Sequence, residues 1–351
     1  MKTAVLLTNG LLHRPDAKTA HGLIRGPSRY RVVGVIDALH AGRDAGEVLD
    51  GRHRGIPVFA DFETASRAAR PEVLVVGVAT SGGWLPPEMR TTLRTAAQAG
   101  LTLVSGLHEQ LADDPELVSA AAASGAQLID VRRMRPRREL HFWTGAALAL
   151  EIPRVAVLGT DCALGKRTTC TLLVAAARAA GLRAEMIYTG QTGWLQGHRF
   201  GFVLDATAND FVAGELEHAV LECARAATPD IIFIEGQSAL RNPAGPCGAE
   251  LVLSTGARTV VLQHAPGREY FEDFEHVGIR IPPLEDEIAL LGHYGARVLA
   301  ITLNAHGLAA DELRRARDRI AASTGLPVLL PLEEGVAAIV PALSALCEAK
   351  R

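Results

Sequence analysis

"VAVLGTDCALGKRTTCTLL", residues Val155–Leu173, decides how this chain is read. A β-branched apolar run ends at Gly159, five residues intervene before Gly165-Lys166, and a helix-like segment follows. Strand, glycine loop and helix in that order make a phosphate cradle. The loop's peptide N–H groups converge on one point, and the helix N-terminus adds the positive end of its dipole. Gly159, Thr160, Asp161, Ala163, Leu164, Gly165, Lys166, Arg167, Thr168 and Thr169 are the expected ligand-binding residues, with Lys166 reaching terminal phosphates. One position departs from the pattern. In magnesium-dependent nucleotide loops the residue after the lysine is Ser or Thr, and its hydroxyl binds the metal. Here that residue is Arg167, which can only donate. Unless Thr168 or Thr169 takes over through a slip in register, the loop is expected to grip a pyrophosphate through N–H groups, lysine and arginine, with no metal.

Outward from this loop the same alternation continues. After it, strands are expected at Ala184–Tyr188, Asp230–Ile234, Arg258–Gln263 and Arg297–Leu303, a helix over Lys166–Ala180 and another over Leu308–Ser323, then a last strand in "LPVLLPL". Before it, strands are expected at Thr3–Leu7, Tyr30–Ile36, Val73–Val78, Thr102–Ser105 and Gln127–Asp130, with helical composition at Pro87–Ala99 and Glu116–Ser124. The fold class is α/β: an N-terminal Rossmann-like open parallel sheet plus a C-terminal P-loop NTPase-like parallel sheet. The first βα turn lacks G-x-G-x-x-G, so no dinucleotide is expected there, and Asp37 reads as a polar strand end.

"VRRMRPRRELHFWTG" (Val131–Gly145) breaks the pattern and marks the boundary. The reading is a Rossmann-like domain over 1–131, a linker over 132–150 and a P-loop-type domain over 151–351. The linker's five arginines, Arg132, Arg133, Arg135, Arg137 and Arg138, are either solvated or a guanidinium patch for an anionic ligand. With 351 residues there is room for two cores. A formal charge of -3 carries no nucleic-acid field, so no nucleic-acid partner is expected. Five cysteines without C-x-x-C spacing suit a reducing compartment rather than disulfides or structural zinc. No apolar run spans a bilayer, and the expectation is a cytoplasmic protein without a membrane partner. Ala/Leu-rich helical faces leave room for a homo-oligomer.

Two further stretches carry polar chemistry beside the loop. In "PDIIFIEGQSALRNPAG" (Pro229–Gly245) a buried strand delivers Glu235 to its carboxyl end, the ligand-binding edge of an open parallel sheet. "YTGQTGWLQG" (Tyr188–Gly197) follows another strand and offers Gln191, Thr192 and an exposed Trp194 on a rim. In "ANDFVAGELE", Asp210 and Glu215 read as a helix cap and a solvated face. His264, His276, His293 and His306 have no metal-ligand spacing, and no metal site is expected.

"GTDCALGK" with "EGQ" after a strand resembles the dethiobiotin synthetase side of the P-loop superfamily. Over nearly its full length the chain is similar to another family, two-domain bacterial and archaeal proteins that pair a Rossmann-like and a P-loop domain and include D-glutamate N-acetyltransferases of the DgcN type. That resemblance rests on "KTAHGLIR", "VVGVID", "GTDCALGKRTT", "TGQTGW" and "EGQSAL" in this order. It implies an acetyl-CoA-dependent N-acetyltransferase acting on an acidic amino acid, D-glutamate in the named members. In that case Lys166 and Arg167 hold the CoA phosphates and Glu235 is the base, with Asp161 as runner-up. Gln191, Thr192 and Gln237 line the substrate or oxyanion, and Arg241 and Arg199 face the substrate carboxylates. The competing expectation is an ATP- and magnesium-dependent kinase or ligase, in which Thr168 or Thr169 joins Glu235 at the metal.

Overall fold

A computed structural model describes residues 1–348. The chain divides into two compact units, Met1–Met134 with Gln191–His198, and Arg135–Gly190 with Arg199–Arg351.

The first unit holds six strands: β1 (Thr3–Leu7), β2 (Arg31–Ile36), β3 (Val58–Phe59), β4 (Val73–Val76), β5 (Thr102–Ser105) and β6 (Leu128–Asp130). They pair in parallel in the order β3-β2-β1-β4-β5-β6, with the direction of progression reversing between β1 and β4, which is the Rossmann arrangement. The strands read as unbroken Val/Leu/Ile runs because helices cover both faces. Successive residues point to opposite sides: Val5, Leu7, Leu74 and Val76 join one core, Ala4, Leu6, Val73 and Val75 the other. Asp37, fully buried after β2, accepts from the Thr8 hydroxyl at 2.7 Å and from the N–H groups of Gly10 and Leu12 at 2.9 and 3.0 Å. Burial alone would raise its pKa, but these bonds and His40 outweigh it and hold the carboxyl below its usual value. Asp37 therefore organises the turn after β1, as a polar strand end does.

The second unit holds β7 (Arg154–Gly159), β8 (Ala184–Tyr188), β9 (Phe200–Gly201), β10 (Ile231–Glu235), β11 (Thr259–His264), β12 (Arg297–Leu303) and β13 (Val328–Leu329). All pairings are parallel, in the order β13-β12-β11-β7-β10-β8-β9. The two sheets are the parallel α/β layers that the sequence pattern implies. The expected elements stand within two residues at each end, the helices at Lys166–Ala179 and Ala310–Thr324 included. The two-residue strands β3 and β9 were not anticipated; β13, equally short, was expected because it lies in the apolar run "LPVLLPL".

Two departures have physical causes. Gln191–Leu195 forms a short helix inside the first unit, where Leu195 is fully buried and Trp194 packs against the core beneath the Arg29 guanidinium at 4.1 Å. Trp194 is thus not the exposed rim residue expected. The segment after Arg135 is strapped onto the helix Asn209–Ala227. The backbone of His141 passes so close to Gly214 that a Cβ there would lie 2.0 Å from the His141 carbonyl. Glu215, expected on a solvated face, is buried: it pairs with Arg135 and accepts from the N–H and Nδ1 of His141 at 2.8 and 2.9 Å. Glu217 takes the N–H groups of Thr144 and Ala147. Arg133, Arg137 and Arg138 are exposed. Among the described residues no helix is long and apolar enough to cross a membrane.

Candidate active site

Three neighbouring strands of the second unit deliver the polar groups to one edge. β7 runs into the loop Thr160–Gly165, β10 brings Glu235 opposite Val157, and β11 brings Gln263 and His264 on the other side. Ala163 (φ 53°) and Gly165 (φ 94°) take left-handed conformations that curl the loop. The peptide N–H groups of residues 161–166 have no protein acceptor among the described residues. That row of donors at the start of the helix Lys166–Ala179 is an anion cradle by geometry.

Lys166 is buried, its Nζ donating to the carbonyls of Asp161 at 2.6 Å and Ser238 at 2.7 Å. Its stem runs past Gly159, where a Cβ would stand 3.1 Å from Lys166 Cδ. Arg167 occupies the position where metal-binding loops place a hydroxyl, and its buried Nε has no partner among the described residues. Thr169 turns the other way, its hydroxyl donating to Gln263 Oε1 at 2.6 Å, which also accepts from Thr302 at 2.7 Å. Thr169 is a brace between helix and sheet.

Glu235 is almost fully buried. Burial pushes its pKa up, opposed by the Arg167 charge, the Thr189 N–H and the Lys166 charge. Thr189 donates its N–H to Glu235 Oε2 at 3.0 Å and its hydroxyl to the Glu235 carbonyl at 2.9 Å, while Gln237 Nε2 donates to the Thr189 hydroxyl at 3.0 Å. A buried carboxyl of raised pKa beside two cations is suited to accept a proton.

Asp161 is saturated. Its oxygens accept from Arg268 Nη1 at 2.9 Å, the Glu272 N–H at 2.8 Å and Asn242 Nδ2 at 3.1 Å. Arg268, buried and also paired with Glu272 at 2.6 Å, completes a strut under the loop. Arg241 is engaged away from the cradle, with Nε on Glu287 at 2.7 Å and Nη1 3.7 Å from Asp286. Arg199 is exposed over the Phe200 ring at 4.7 Å. Gln191 and Thr192 are buried in the first unit, where Gln191 Nε2 donates to the Thr19 hydroxyl at 3.3 Å and the Thr192 hydroxyl to Gln191 Oε1 at 2.8 Å. Within the second unit, Gln237 meets Thr189, the residue that holds Glu235.

Sequence reasoning left His264 among the histidines without metal-ligand spacing and passed over Asn242 and Arg268. The Thr160 hydroxyl lies 2.9 Å from His264 Nδ1, and burial holds that imidazole down to about 4. The signal for His264 was its place at the end of a strand beside the loop. Arg268 stands in no motif.

The model of the P-loop domain called a domain of unknown function, DUF1611 C-terminal, matches residues 141–340, and that of the Rossmann-like DUF1611 N-terminal domain matches residues 38–134. The chain belongs to the DUF1611 family. It is similar to a protein named D-glutamate N-acetyltransferase from Tritonibacter scottomollicae, 30% identical over 293 residues, covering 80% of this chain and 83% of that one. A protein of the same name from a Pseudoalteromonas species is 30% identical over 277 residues, covering 77% and 80%. The crystal structure of a DUF1611 family protein from Anabaena variabilis matches with a TM-score of 0.89 and 32% identity over 98% of this chain and 100% of that one.

Proposed function

We propose that the protein is an N-acetyltransferase that acetylates the amine of D-glutamate, with acetyl-CoA as donor and its diphosphate held in the loop Gly159–Arg167. The two curated relatives support N-acetyl transfer to D-glutamate. One observation carries the donor assignment. The cradle has its row of free N–H groups and two cations, yet its metal-hydroxyl position is Arg167 and Thr169 is committed to Gln263. Such a cradle suits a diphosphate recognised by charge and N–H groups alone, the anionic part of CoA.

When bound, acetyl-CoA supplies a thioester-activated acetyl group. The chain's own part is acid–base. At neutral pH an amino acid's amine is an ammonium and cannot attack. Glu235 takes one ammonium proton, the freed nitrogen lone pair attacks the thioester carbonyl and the C–S bond breaks; the nitrogen sheds its second proton to solvent as the amide forms, and the proton held on Glu235 passes to the departing thiolate. Arg167 and Lys166 lie close enough to lower the cost of the carboxylate form, and Thr189 fixes its direction. Gln237 presents the amide beside Glu235 and is the side chain assigned to orient the acceptor or its oxyanion.

Calorimetric titration tests the donor. Acetyl-CoA should bind with the same affinity with and without magnesium, and D-glutamate should then be acetylated. Magnesium-dependent binding of ATP with no response to acetyl-CoA would instead return the loop to ATP chemistry.

A further inference from the structure

Lys166 links two loops. Its Nζ spans the carbonyl of Asp161 in the phosphate loop and the carbonyl of Ser238 in the segment that follows Glu235. Ser238 is a non-glycine residue at φ 36°, a conformation that persists only where its surroundings impose it. The imposing contacts come largely from the phosphate loop: besides Lys166, Cys162 Sγ lies 3.5 Å from Ser238 Oγ, and Asn242 Nδ2 donates to Asp161 Oδ1. The same segment carries Gln237, which touches Thr189, which in turn holds Glu235.

We infer that Lys166 is a latch: an anion seated on the phosphate loop draws Nζ away from Ser238, and residues 237–242 rearrange as a consequence. An ammonium held by two neutral carbonyls gains more from a doubly charged diphosphate, because the attraction of opposite charges adds to the hydrogen bonds. Once Nζ leaves, the Ser238 carbonyl loses its donor and the left-handed residue loses the contact that holds it. The segment beside Glu235 thereby registers whether the phosphate loop is occupied, and by linkage the donor and acceptor influence each other's affinity by the same factor. This rests on reading residues 159–167 as an anion cradle, and deepens that reading by coupling occupancy of the cradle to the segment beside Glu235.

Hydrogen exchange read by mass spectrometry on the full chain tests it, with inorganic pyrophosphate and acetyl-CoA as separate probes and calorimetry reporting whether each binds. The reporters are the amides of Asn242, Ala244 and Gly245, bonded within the segment to the Ala239 carbonyl, Asn242 Oδ1 and the Asn242 carbonyl. Their exchange should quicken by roughly tenfold when either probe saturates the cradle. In Lys166→Met the same amides should exchange fast without any probe and show no further change. Ser238→Gly, which adopts φ 36° without strain and loses only the Oγ contact to Cys162, should exchange no faster than wild type in the free protein and show a weaker response to either probe. Binding of acetyl-CoA with unchanged exchange sinks the latch and leaves the donor assignment standing. A pyrophosphate response without acetyl-CoA binding keeps the latch and sinks the donor assignment. If neither probe binds, both fall.

Discussion

Thr189 holds Glu235 at two points, its N–H on Oε2 at 3.0 Å and its hydroxyl on the main-chain carbonyl at 2.9 Å. One residue of the neighbouring strand end thus fixes both the carboxylate and the backbone behind it. As the proposed base, a carboxylate so held would accept a proton from one direction. Glu235→Gln keeps the shape and removes the proton acceptor, so kcat should fall by about 10²–10⁴ while the Kd for acetyl-CoA changes by less than about threefold. Burial above all raises the Glu235 pKa over its ordinary 4.5, so the carboxylate fraction, and kcat with it, climbs as pH rises through that raised value. For stability the sign is opposite. The protonated form is favoured in the fold, a contribution present below 4.5 and lost as pH rises through the folded value. Equal turnover in wild type and variant across the acid range would remove Glu235 from the reaction.

His264 titrates the other way. Burial is the largest cause that lowers its pKa from 6.5 to about 4, with the Glu285 charge opposing. The fold favours the neutral ring, so its contribution is complete above 6.5 and disappears as pH falls towards 4. A depression of that size corresponds to roughly 3 kcal/mol. Urea unfolding near neutrality and near pH 4 should therefore show His264→Gln losing markedly less stability on acidification than wild type.

How much of this was legible beforehand depended on locality. The cradle is written in contiguous residues, Gly159 to Lys166, and the unbroken β-branched runs around it state a two-sided parallel sheet, so loop, sheet class and Glu235 all follow from pattern. What could not be read is what depends on long-range pairing. Arg268 meets Asp161 across more than a hundred residues, and Glu215 is buried only because a distant strap brings Arg135 and His141 onto it. Trp194 was misjudged for a related reason: glycine-rich "TGQTGW" has the composition of a rim loop, and only the three-dimensional course of Gln191–His198 into the first unit packs its half-buried indole against a core.

Asp161 is held by three donors, and the proposed division of roles between it and Glu235 can be tested by stability. Its removal in Asp161→Ala leaves Arg268 with the Cys162 carbonyl and Glu272 alone, and frees the loop from Asn242. Breaking a buried pair of this kind costs about 3–5 kcal/mol. Denaturant unfolding of Asp161→Ala should show a loss of that order, whereas Glu235→Gln, whose amide oxygen still accepts from the Thr189 N–H, should lose less. A stable Asp161→Ala with abolished turnover would reverse the two roles.

Gly214 sets how closely the strap can lie. An alanine there puts its methyl 2.0 Å from the His141 carbonyl and 2.6 Å from the Phe142 carbonyl carbon, both backbone atoms that cannot swing aside. The strap must lift, stripping Glu215 and Glu217 of the N–H groups they accept. Gly214→Ala should lose about 1–3 kcal/mol and become susceptible to limited proteolysis between Arg135 and Leu150. An uncleaved, fully stable variant would mean the helix shifts instead.

The first unit borrows part of its core from the second half of the sequence, which makes its independence testable. Leu195 is fully buried among Leu6, Leu23 and Val35, the Leu195 carbonyl accepts from the Arg29 N–H at 2.8 Å, and Gln196 Nε2 donates to the Gly22 carbonyl at 2.9 Å. A fragment of residues 1–134 has the whole β1–β6 sheet but none of these. Removing one buried leucine side chain alone costs about 2–5 kcal/mol, a large share of a small domain's margin. The fragment should keep helical far-ultraviolet circular dichroism with a broad, weakly cooperative thermal transition, and a synthetic peptide spanning residues 189–200 should sharpen and raise that transition. The same peptide with Leu195→Ala should do so far less. Should the bare fragment melt as sharply and at the same temperature with or without the peptide, residues 191–198 ride on the first unit without completing it.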